Sequence, residues 1–446
     1  MIRRLVGVAL GLGSGLLLAA AAAGQEYFVA TDGDDANPGT IEKPLKSPVK
    51  AAAKLMPGDT LVFRAGEYKC VTDGTLGIGP SRSGEEGKPI TFRTHQNEPV
   101  KIDCAGSDWG FSPNGRSWIV IDGFEIVNSS GYAMKISAQH GNGKVTGSHV
   151  TIRNCELHHT GNECLFAFET PWLLIENCYT HDSARSHGIY INKGCHNLVV
   201  RNVTSENNRG NSAIRINASG GGTRDGLIER CVMRGCALAS SFLGAINCTY
   251  RQNILFNNGF DGPRGSGYRE LVLRNGDELG GKGTTCEGDL FENNTIVNLV
   301  PPGHKLDRLI HIMPETKNCT FRNNILVVKG VPVFTLDVFE GFAFENNCVY
   351  RVGGGEEVKG GGSLADFCKA KGLKESGNIS KDPMFADMEK GDLCLKDGSP
   401  CLGAGVAKDG KPRDIGVYQR GEEFQLGCKL PWKKAEEAKK QPEPAK

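Results

Sequence analysis

The most constraining feature of this 446-residue sequence is a repeat that runs through its middle. Eight segments between residues 150 and 353 place an apolar-x-polar pattern before an anchor residue, and that anchor is asparagine in six of them. The intervals between successive anchors range from 22 to 41 residues. Self-similarity on this scale indicates a solenoid. The anchors are Asn154, Asn177, Asn202, Arg230, Gln252, Asn293, Asn323 and Asn346.

The length of the repeat decides which kind of solenoid to expect. Most intervals are too short for a helix-containing repeat, and helical periodicity is absent, whereas three short strands with three turns fit the length. We therefore predict an all-β fold, a parallel β-helix in which equivalent side chains of successive coils stack. The anchor asparagines are expected to form a hydrogen-bonded ladder, and Cys155, Cys178 and Cys231 are expected to stack.

The two ends of the chain add a family resemblance. Residues 27–68, with a short helix expected around Ser47–Leu55, and residues 382–405 resemble the opening and closing segments of exported β-helix proteins related to pectate lyases. The resemblance implies a right-handed single-stranded parallel β-helix with an N-terminal cap module and a C-terminal closing segment. That scaffold carries lyases, hydrolases, epimerases and adhesins, so it leaves the activity open.

The termini predict where the protein works. Two arginines, an apolar run and small residues make residues 1–24 a predicted signal peptide, so the protein is expected to be secreted, periplasmic or on the cell surface. No membrane association is expected after its removal, and we expect a monomer. The predicted organisation is a cap with the first coils at 25–100, the repeats at 101–350, the closing segment at 351–430 and a disordered tail at 431–446.

Charge and cysteine usage narrow the function. With 52 basic and 51 acidic residues the net charge is +1, which argues against a nucleic-acid partner. The sixteen cysteines include no CxxC pair, which argues against a zinc ribbon, while buried ladder cysteines and disulfides both stay open.

A second strand precedes the anchor strand in each coil. Alternation sends Ile189 and Ile191 inward and therefore Tyr190 outward. The outward row is expected to read Lys135, Leu165, Tyr190, Arg215, Ala245, His311 and Thr335. A parallel row is expected to read Ser137, Ala167, Asn192, Asn217, Asn247, Met313 and Asp337. Tyr190 and Arg215 should be direct neighbours, since coils are about 4.8 Å apart.

Histidines concentrate in the turn beside this strand. Seven of the ten histidines lie between His140 and His196, which makes this stretch the strongest functional signal in the sequence. The turn positions hold His158, His181 and Glu206 in one row and His159, Asp182 and Asn207 in the next, with Arg185 and His187 following. We expect this row and the row of Lys135, Tyr190 and Arg215 to border one shallow groove. A polar ladder at a turn is the alternative explanation.

Metal binding is considered at two places. His158, His159, His181 and Asp182 have suitable ligand atoms, but column stacking predicts side-by-side pairs rather than a closed tetrahedron, so no metal site is predicted there. Residues 32–39, with the sequence "DGDDANPG", resemble a calcium loop but are interpreted as turn chemistry. No cofactor is therefore assigned, and calcium stays a candidate.

The residue types in the groove suit β-elimination on a uronate-containing polysaccharide. This reaction needs a base, a cation to neutralise the carboxylate and an acid for the leaving oxygen. His181 or His187 is the candidate base, with Lys135 as a second, Arg215 is the neutraliser and Tyr190 is the acid. The expected substrate-binding residues are His158, His159, Asp182, Arg185, Asn192 and Asn217.

Other activities stay open. The alternatives are a uronate C5-epimerase or a glycoside hydrolase on the same scaffold, or a non-catalytic glycan-binding or surface scaffold protein. Paired outward aspartates are missing, which counts against inverting hydrolysis because two carboxyl groups must flank the bond. An exported polysaccharide lyase is the predicted function.

Overall fold

The computed structural model describes most of the chain: residues 24–70, 77–137, 139–141, 144–218, 222–260, 269–274, 285–301, 304–314, 316–336 and 340–433. The predicted signal peptide, except its last residue, and residues 434–446 of the predicted tail lie outside this range, as do Asp337 and the side chain of His140. Among the described residues, no helix is long and apolar enough to cross a membrane.

Three parallel sheets build the body of the molecule. In the described part of the chain, sheet 1 has thirteen strands, sheet 2 eleven and sheet 3 nine. Neighbouring strands in a sheet come from successive coils and pair in parallel, so that Ile152, for example, lies opposite Ile175. This is the parallel β-helix that the repeat predicts.

The strands have the following bounds. Sheet 1 contains Glu26–Val29, Thr60–Phe63, Ile90–Thr94, Ile119–Asp122, Val150–Arg153, Leu173–Glu176, Val199–Arg201, Leu227–Glu229, Thr249–Arg251, Leu290–Glu292, Thr320–Arg322, Ala343–Glu345 and Lys374–Ser376. Sheet 2 contains Gly66–Lys69, Val100–Asp103, Phe124–Val127, Glu156–Thr160, Tyr179–Ser183, Thr204–Glu206, Val232–Arg234, Ile254–Phe256, Thr295–Asn298, Ile325–Lys329 and Cys348–Val352. Sheet 3 contains Trp109–Phe111, Tyr132–Ser137, Leu165–Phe168, Ile189–Asn192, Ser212–Asn217, Leu238–Leu243, Arg269–Arg274, Ile310–Ile312 and Phe334–Leu336.

Two helices and three short antiparallel pairs complete the described elements. The helices are Pro48–Ala52 and Leu364–Lys371, and the pairs are Gln139–Gly141 with Lys144–Thr146, Phe385–Asp387 with Asp392–Leu395, and Gly405–Val406 with Pro412–Arg413. The first helix lies within the range expected for it, and its buried Ala51 and Ala52 belong to the core.

Each repeat anchor makes the turn from sheet 1 to sheet 2. All eight anchors have a left-handed backbone, with φ between 52° and 55°. Asparagine adopts this conformation at lower cost than most residues with a Cβ, which explains why it dominates the anchor position.

The expected ladder forms between two anchors, where Asn177 Nδ2 donates to Asn154 Oδ1 at 2.6 Å, but a longer and more buried asparagine ladder lies one residue after the anchors. Each ladder side chain donates its amide to the next Oδ1 at 2.9–3.0 Å. Cys155, Cys178 and Cys231 fill the same position in earlier coils and are fully buried. All sixteen cysteines are free thiols and fourteen are buried, so the structure favours the thiol ladder over disulfides. The ladder consists of Asn253, Asn294, Asn324, Asn347 and Asn378.

The closing segment, predicted at residues 351–430, also packs along the outer face of the β-helix. After its last strand in sheet 1 the chain turns back and runs along the outer face of sheet 2, where Phe385 and Leu393 begin a second hydrophobic cluster. It bonds the anchors on its way, and the Lys429 amide donates to Asn177 Oδ1. The start of the predicted tail is part of this path, because Trp432 is buried and Lys433 bonds Glu156 at 2.6 Å.

Candidate active site

The outward face of sheet 3 carries the row in which catalytic residues are expected. Strand register places Tyr190 opposite Arg215 on the next coil, as predicted, and Ile189 and Ile191 are fully buried beneath them. Asn192 and Asn217 are likewise paired in the second row. The first row reads Lys135, Phe166, Tyr190, Arg215, Ser241, Val272, His311 and Thr335.

Several positions in these rows differ from the expectation. Leu165 faces the core and is fully buried, and Phe166 takes the outward place instead. Ala245 lies beyond its strand, and Ser241 faces outward in its coil. The alternation rule failed here because Phe166 is a large apolar residue on the solvent side.

The second row shows the same shift. Phe168 rather than Ala167 precedes Asn192, and Leu243 rather than Asn247 follows Asn217. Met313 lies just beyond its strand.

Tyr190 lies at the centre of a polar and aromatic contact network. Asn217 Nδ2 donates a hydrogen bond to its hydroxyl oxygen at 2.9 Å. The Arg215 guanidinium carbon lies 5.3 Å from the ring centroid, within cation–π range. The His187 ring lies 4.8 Å away on another side. The hydroxyl is therefore held by one donor while a cation lies over the ring.

His187 is not an exposed base. Its residue is only 2% exposed, and its Nδ1 accepts a hydrogen bond from the Ser212 amide at 3.1 Å. Nδ1 is therefore occupied by a backbone donor, and the ring packs against Tyr190.

Three arginines surround one cavity of about 220 Å³ next to Tyr190. Arg215, Arg269 and Arg274 line it together with Ser241. Burial lowers the pKa of Arg274, and the neighbouring Arg215 and Arg269 charges lower it further. Like charges in a partly desolvated cavity repel one another, which favours an anion between them.

Arg269 and Arg274 were missed by the sequence analysis. They lie at the two ends of the strand Arg269–Arg274, inside the long insertion between two anchors. The apolar residues between these two arginines were a visible strand signal, but only the place of this strand between Leu238–Leu243 and Ile310–Ile312 shows that both arginines line the cavity.

Glu163 is a third residue that the sequence did not reveal. It is buried, and the Ser186 hydroxyl donates to its Oε1 at 2.6 Å. Burial raises the pKa of Tyr132, and the Glu163 carboxylate raises it further, which places this acid beside the outward face of sheet 3. It lies in a turn outside both rows, where no pattern marks it.

The opposite end of this face is aromatic. Lys135 Nζ lies 4.1 Å from the centroid of the Trp109 ring and 5.8 Å from that of Tyr132. Tyr132 and Phe166 are 5.4 Å apart, and Phe166 and Tyr190 are 5.5 Å apart. Lys135 Nζ therefore lies at the aromatic end of the face, over Trp109.

The histidine row belongs to sheet 2 and not to the face of Tyr190 and Arg215. His158 and His181 are paired on adjacent strands of sheet 2, and their rings are stacked at 4.5 Å. The expectation that both rows border one groove is wrong, because a turn separates the two strands and each row projects from its own sheet. The candidate base His181 therefore projects from a different sheet than Tyr190.

Carboxylates hold His181 from both sides. Its Nε2 donates to Glu156 Oε1 at 3.2 Å, and its Nδ1 bonds Asp182 Oδ2 at 2.7 Å. Burial lowers the pKa of His181, but these two carboxylates outweigh it and raise the pKa overall. His159, which shares the predicted row of Asp182, instead has its Nδ1 2.6 Å from His158 Nδ1.

The remaining expected residues have structural contacts. Arg185 Nε donates to the Gly161 carbonyl at 3.0 Å within the turn between sheets 2 and 3. In the calcium-like segment, the Lys46 and Ser47 amides donate to Asp35 Oδ1 and the Asp34 carboxylate accepts from Ala36. These bonds are those of a turn, as interpreted from the sequence.

Family models and known proteins agree with this architecture. A model described as Pel9A-like, right handed beta helix region, matches residues 27–184, and one described as right handed beta helix region matches residues 109–275. The chain therefore has the right-handed parallel β-helix fold. The crystal structure of pectate lyase Pel9A is similar with a TM-score of 0.60 at 14% identity, covering 90% of this chain and 97% of that one.

Two curated relatives match shorter parts. Pectate lyase L of Dickeya chrysanthemi is 28% identical over 142 residues, 30% of this chain and 32% of that protein. The uncharacterized protein YwoF of Bacillus subtilis (strain 168) is 39% identical over 79 residues, 18% of this chain and 16% of that protein. The chain thus spans about a third or less of the curated relatives it matches.

Proposed function

We propose that this protein is an exported carbohydrate-active enzyme that cleaves a uronate-containing polysaccharide by β-elimination on the outward face of sheet 3. The observation that carries the proposal is the cavity lined by Arg215, Arg269 and Arg274 beside Tyr190. The similarity to pectate lyases supports the reaction class.

The arginines suit the first requirement of the reaction. A uronate carboxylate must be neutralised before the neighbouring C5 proton becomes acidic enough to leave. Guanidinium groups bind carboxylates in paired, directional hydrogen bonds. Arg215 is nearest to Tyr190 and takes the carboxylate of the reacting sugar, while Arg269 and Arg274 hold that of the next sugar.

Tyr190 suits the proton transfers. Its deprotonated oxygen takes the C5 proton, the electron pair forms the C4–C5 double bond, and the C4–oxygen bond breaks. The same hydroxyl then returns the proton to the leaving oxygen, so charge and atoms balance. Asn217 donates to the Tyr190 oxygen and Arg215 lies over its ring, so this oxygen is held beside the cation that takes the carboxylate.

The aromatic end of the face provides sugar-binding positions. Trp109, Tyr132, Phe166 and Phe168 present apolar rings on neighbouring coils, and such rings stack on pyranose faces. Lys135 beside Trp109 adds a cation for a further carboxylate. A chain lying along the face would have its reacting sugar at Tyr190.

The test is formation of unsaturated products, followed by their ultraviolet absorbance. Purified mature protein is incubated with pectate, alginate, chondroitin and heparan, with and without Ca²⁺. Tyr190→Phe is expected to lower the rate roughly 10²–10⁴-fold. The matched control Arg153→Ala changes an outward arginine of sheet 1 that pairs with Asp122, and it should keep the rate.

Two outcomes would overturn the proposal. Full activity in Tyr190→Phe would move the chemistry elsewhere. Absence of unsaturated products on every polymer would exclude a lyase for this panel, and NMR detection of inverted C5 centres would then identify an epimerase. Binding without either reaction would identify a glycan-binding scaffold.

A further inference from the structure

Three imidazoles converge on the outer face of sheet 2, away from the face of Tyr190 and Arg215. One ring nitrogen of each of His158, His159 and His181 lies within 4.8 Å of the other two, a convergence found once among the described residues. The His158 and His181 rings stack nearly parallel, at 9°, and the His159 ring stands across both, at 74° and 82°. Stacking of successive coils alone would give only the pair of His158 and His181. The His159 ring, which is roughly perpendicular to both, adds a third nitrogen beside them.

We propose that His158, His159 and His181 bind a divalent first-row transition metal ion of the Zn²⁺ class, with the fourth position left to a solvent ligand. The proposal is independent of the glycan reaction, because it concerns another sheet.

The Nε2 atoms of the two stacked rings, His158 and His181, bond carboxylates. His158 Nε2 donates to Glu125 Oε1 at 3.2 Å, and His181 Nε2 donates to Glu156 Oε1 at 3.2 Å. Histidines that bind metals in proteins almost always donate their other ring N–H to a carboxylate or carbonyl, which fixes the tautomer and leaves the first nitrogen for the metal. Two histidines of this cluster have that arrangement.

The Nδ1 atoms of the histidines face one another and Asp182. His158 Nδ1 and His159 Nδ1 are 2.6 Å apart, and Asp182 Oδ2 lies 2.7 Å from His181 Nδ1. His159 and Asp182 both have left-handed backbones, with φ of 51° and 53°, which turn their side chains toward the preceding histidine. Three histidine nitrogens with the fourth position open to solvent are a usual donor set for Zn²⁺.

The donor chemistry selects the class of ion. Imidazole nitrogens suit Zn²⁺, Ni²⁺, Cu²⁺ and Co²⁺, whereas Ca²⁺ and Mg²⁺ require oxygen ligands. His159 is exposed and the other two rings are partly buried, so an ion can enter from solvent.

The histidine cluster also lies beside the last described residues of the chain. Glu156 bonds His181 through the same oxygen that accepts from Lys433 Nζ. Glu156 would therefore connect an ion bound by His181 to Lys433 of the closing segment.

The test is a titration of the tag-free, chelator-treated full chain with Zn²⁺ by calorimetry and with Co²⁺ by visible absorbance. Wild type is expected to bind a single equivalent with a nitrogen-rich tetrahedral Co²⁺ spectrum. Glu156→Gln is expected to weaken binding roughly 10–100-fold. His159→Asn and His181→Gln remove ligands and should weaken it further.

A matched control separates loss of a ligand from a change of fold. His149 has the same left-handed backbone as His159, with φ of 55°, but stacks between Trp118 and Trp172 instead. His149→Asn should therefore bind as wild type, and circular dichroism should be unchanged in all variants. The proposal is overturned by absence of saturable binding in wild type, or by equal binding in His159→Asn, His181→Gln and wild type.

Discussion

The buried asparagine ladder is expected to be a main stabilising element, and Asn294→Ala tests it. The Asn294 amide donates to the Tyr250 carbonyl and to Asn324 Oδ1, both at 2.9 Å. Its Oδ1 accepts from the amide and the side chain of Asn253, both at 3.0 Å. All four bonds lie in a side chain with no exposed surface.

The expected loss of unfolding free energy follows from these bonds. Each contributes about 1 kcal/mol net, and truncation leaves buried donors unpaired, so Asn294→Ala should cost about 4 kcal/mol. Urea unfolding followed by circular dichroism measures it. The control is Asn162→Ala, in a partly buried turn outside the ladder. A loss below about 1 kcal/mol, or one equal to that of the control, would refute the reasoning.

Two further predictions concern titration and thiol reactivity. Burial raises the pKa of Glu270 to about 7, above its unfolded value, so stability should fall as pH rises toward 7 and level off above it, by roughly 3 kcal/mol in total. Urea midpoints at several pH values should show this slope in wild type and not in Glu270→Gln, and an identical slope would contradict it. Cys394 is the exposed cysteine, so it should react first with Ellman's reagent, and Cys394→Ser should remove the fast phase. Thiols that stay unreactive in denaturant without reductant would instead indicate disulfides.

Local sequence signals predicted the β-helix fold and the pairing of Tyr190 with Arg215 in the candidate site. The anchor pattern identified the turn between sheets 1 and 2, because the left-handed backbone there favours asparagine. Alternation placed Tyr190 beside Arg215, because isoleucines on either side of each must face the core. Both inferences use residues within one strand or turn.

The site residues that could not be predicted either break the alternation rule or are brought together by chain segments that are distant in sequence. Phe166 faces solvent against the rule that large apolar residues face inward, and such violations are typical of functional surfaces. Arg274 reaches the cavity only because its strand pairs with Leu238–Leu243. His181 lies near Tyr190 in sequence, but the intervening turn moves the chain to another sheet.

The central claim is that the arginine-lined face of sheet 3 binds an anionic glycan, and the most direct measurement is calorimetric titration with defined oligo-uronates. Arg274→Ala should lower the affinity roughly 10–100-fold, since one charge-assisted contact contributes about 1.5–3 kcal/mol. Arg153→Ala, on sheet 1, should bind as wild type, and neutral oligosaccharides of equal length should bind weakly. Equal affinity of wild type and Arg274→Ala for oligo-uronates would contradict the claim.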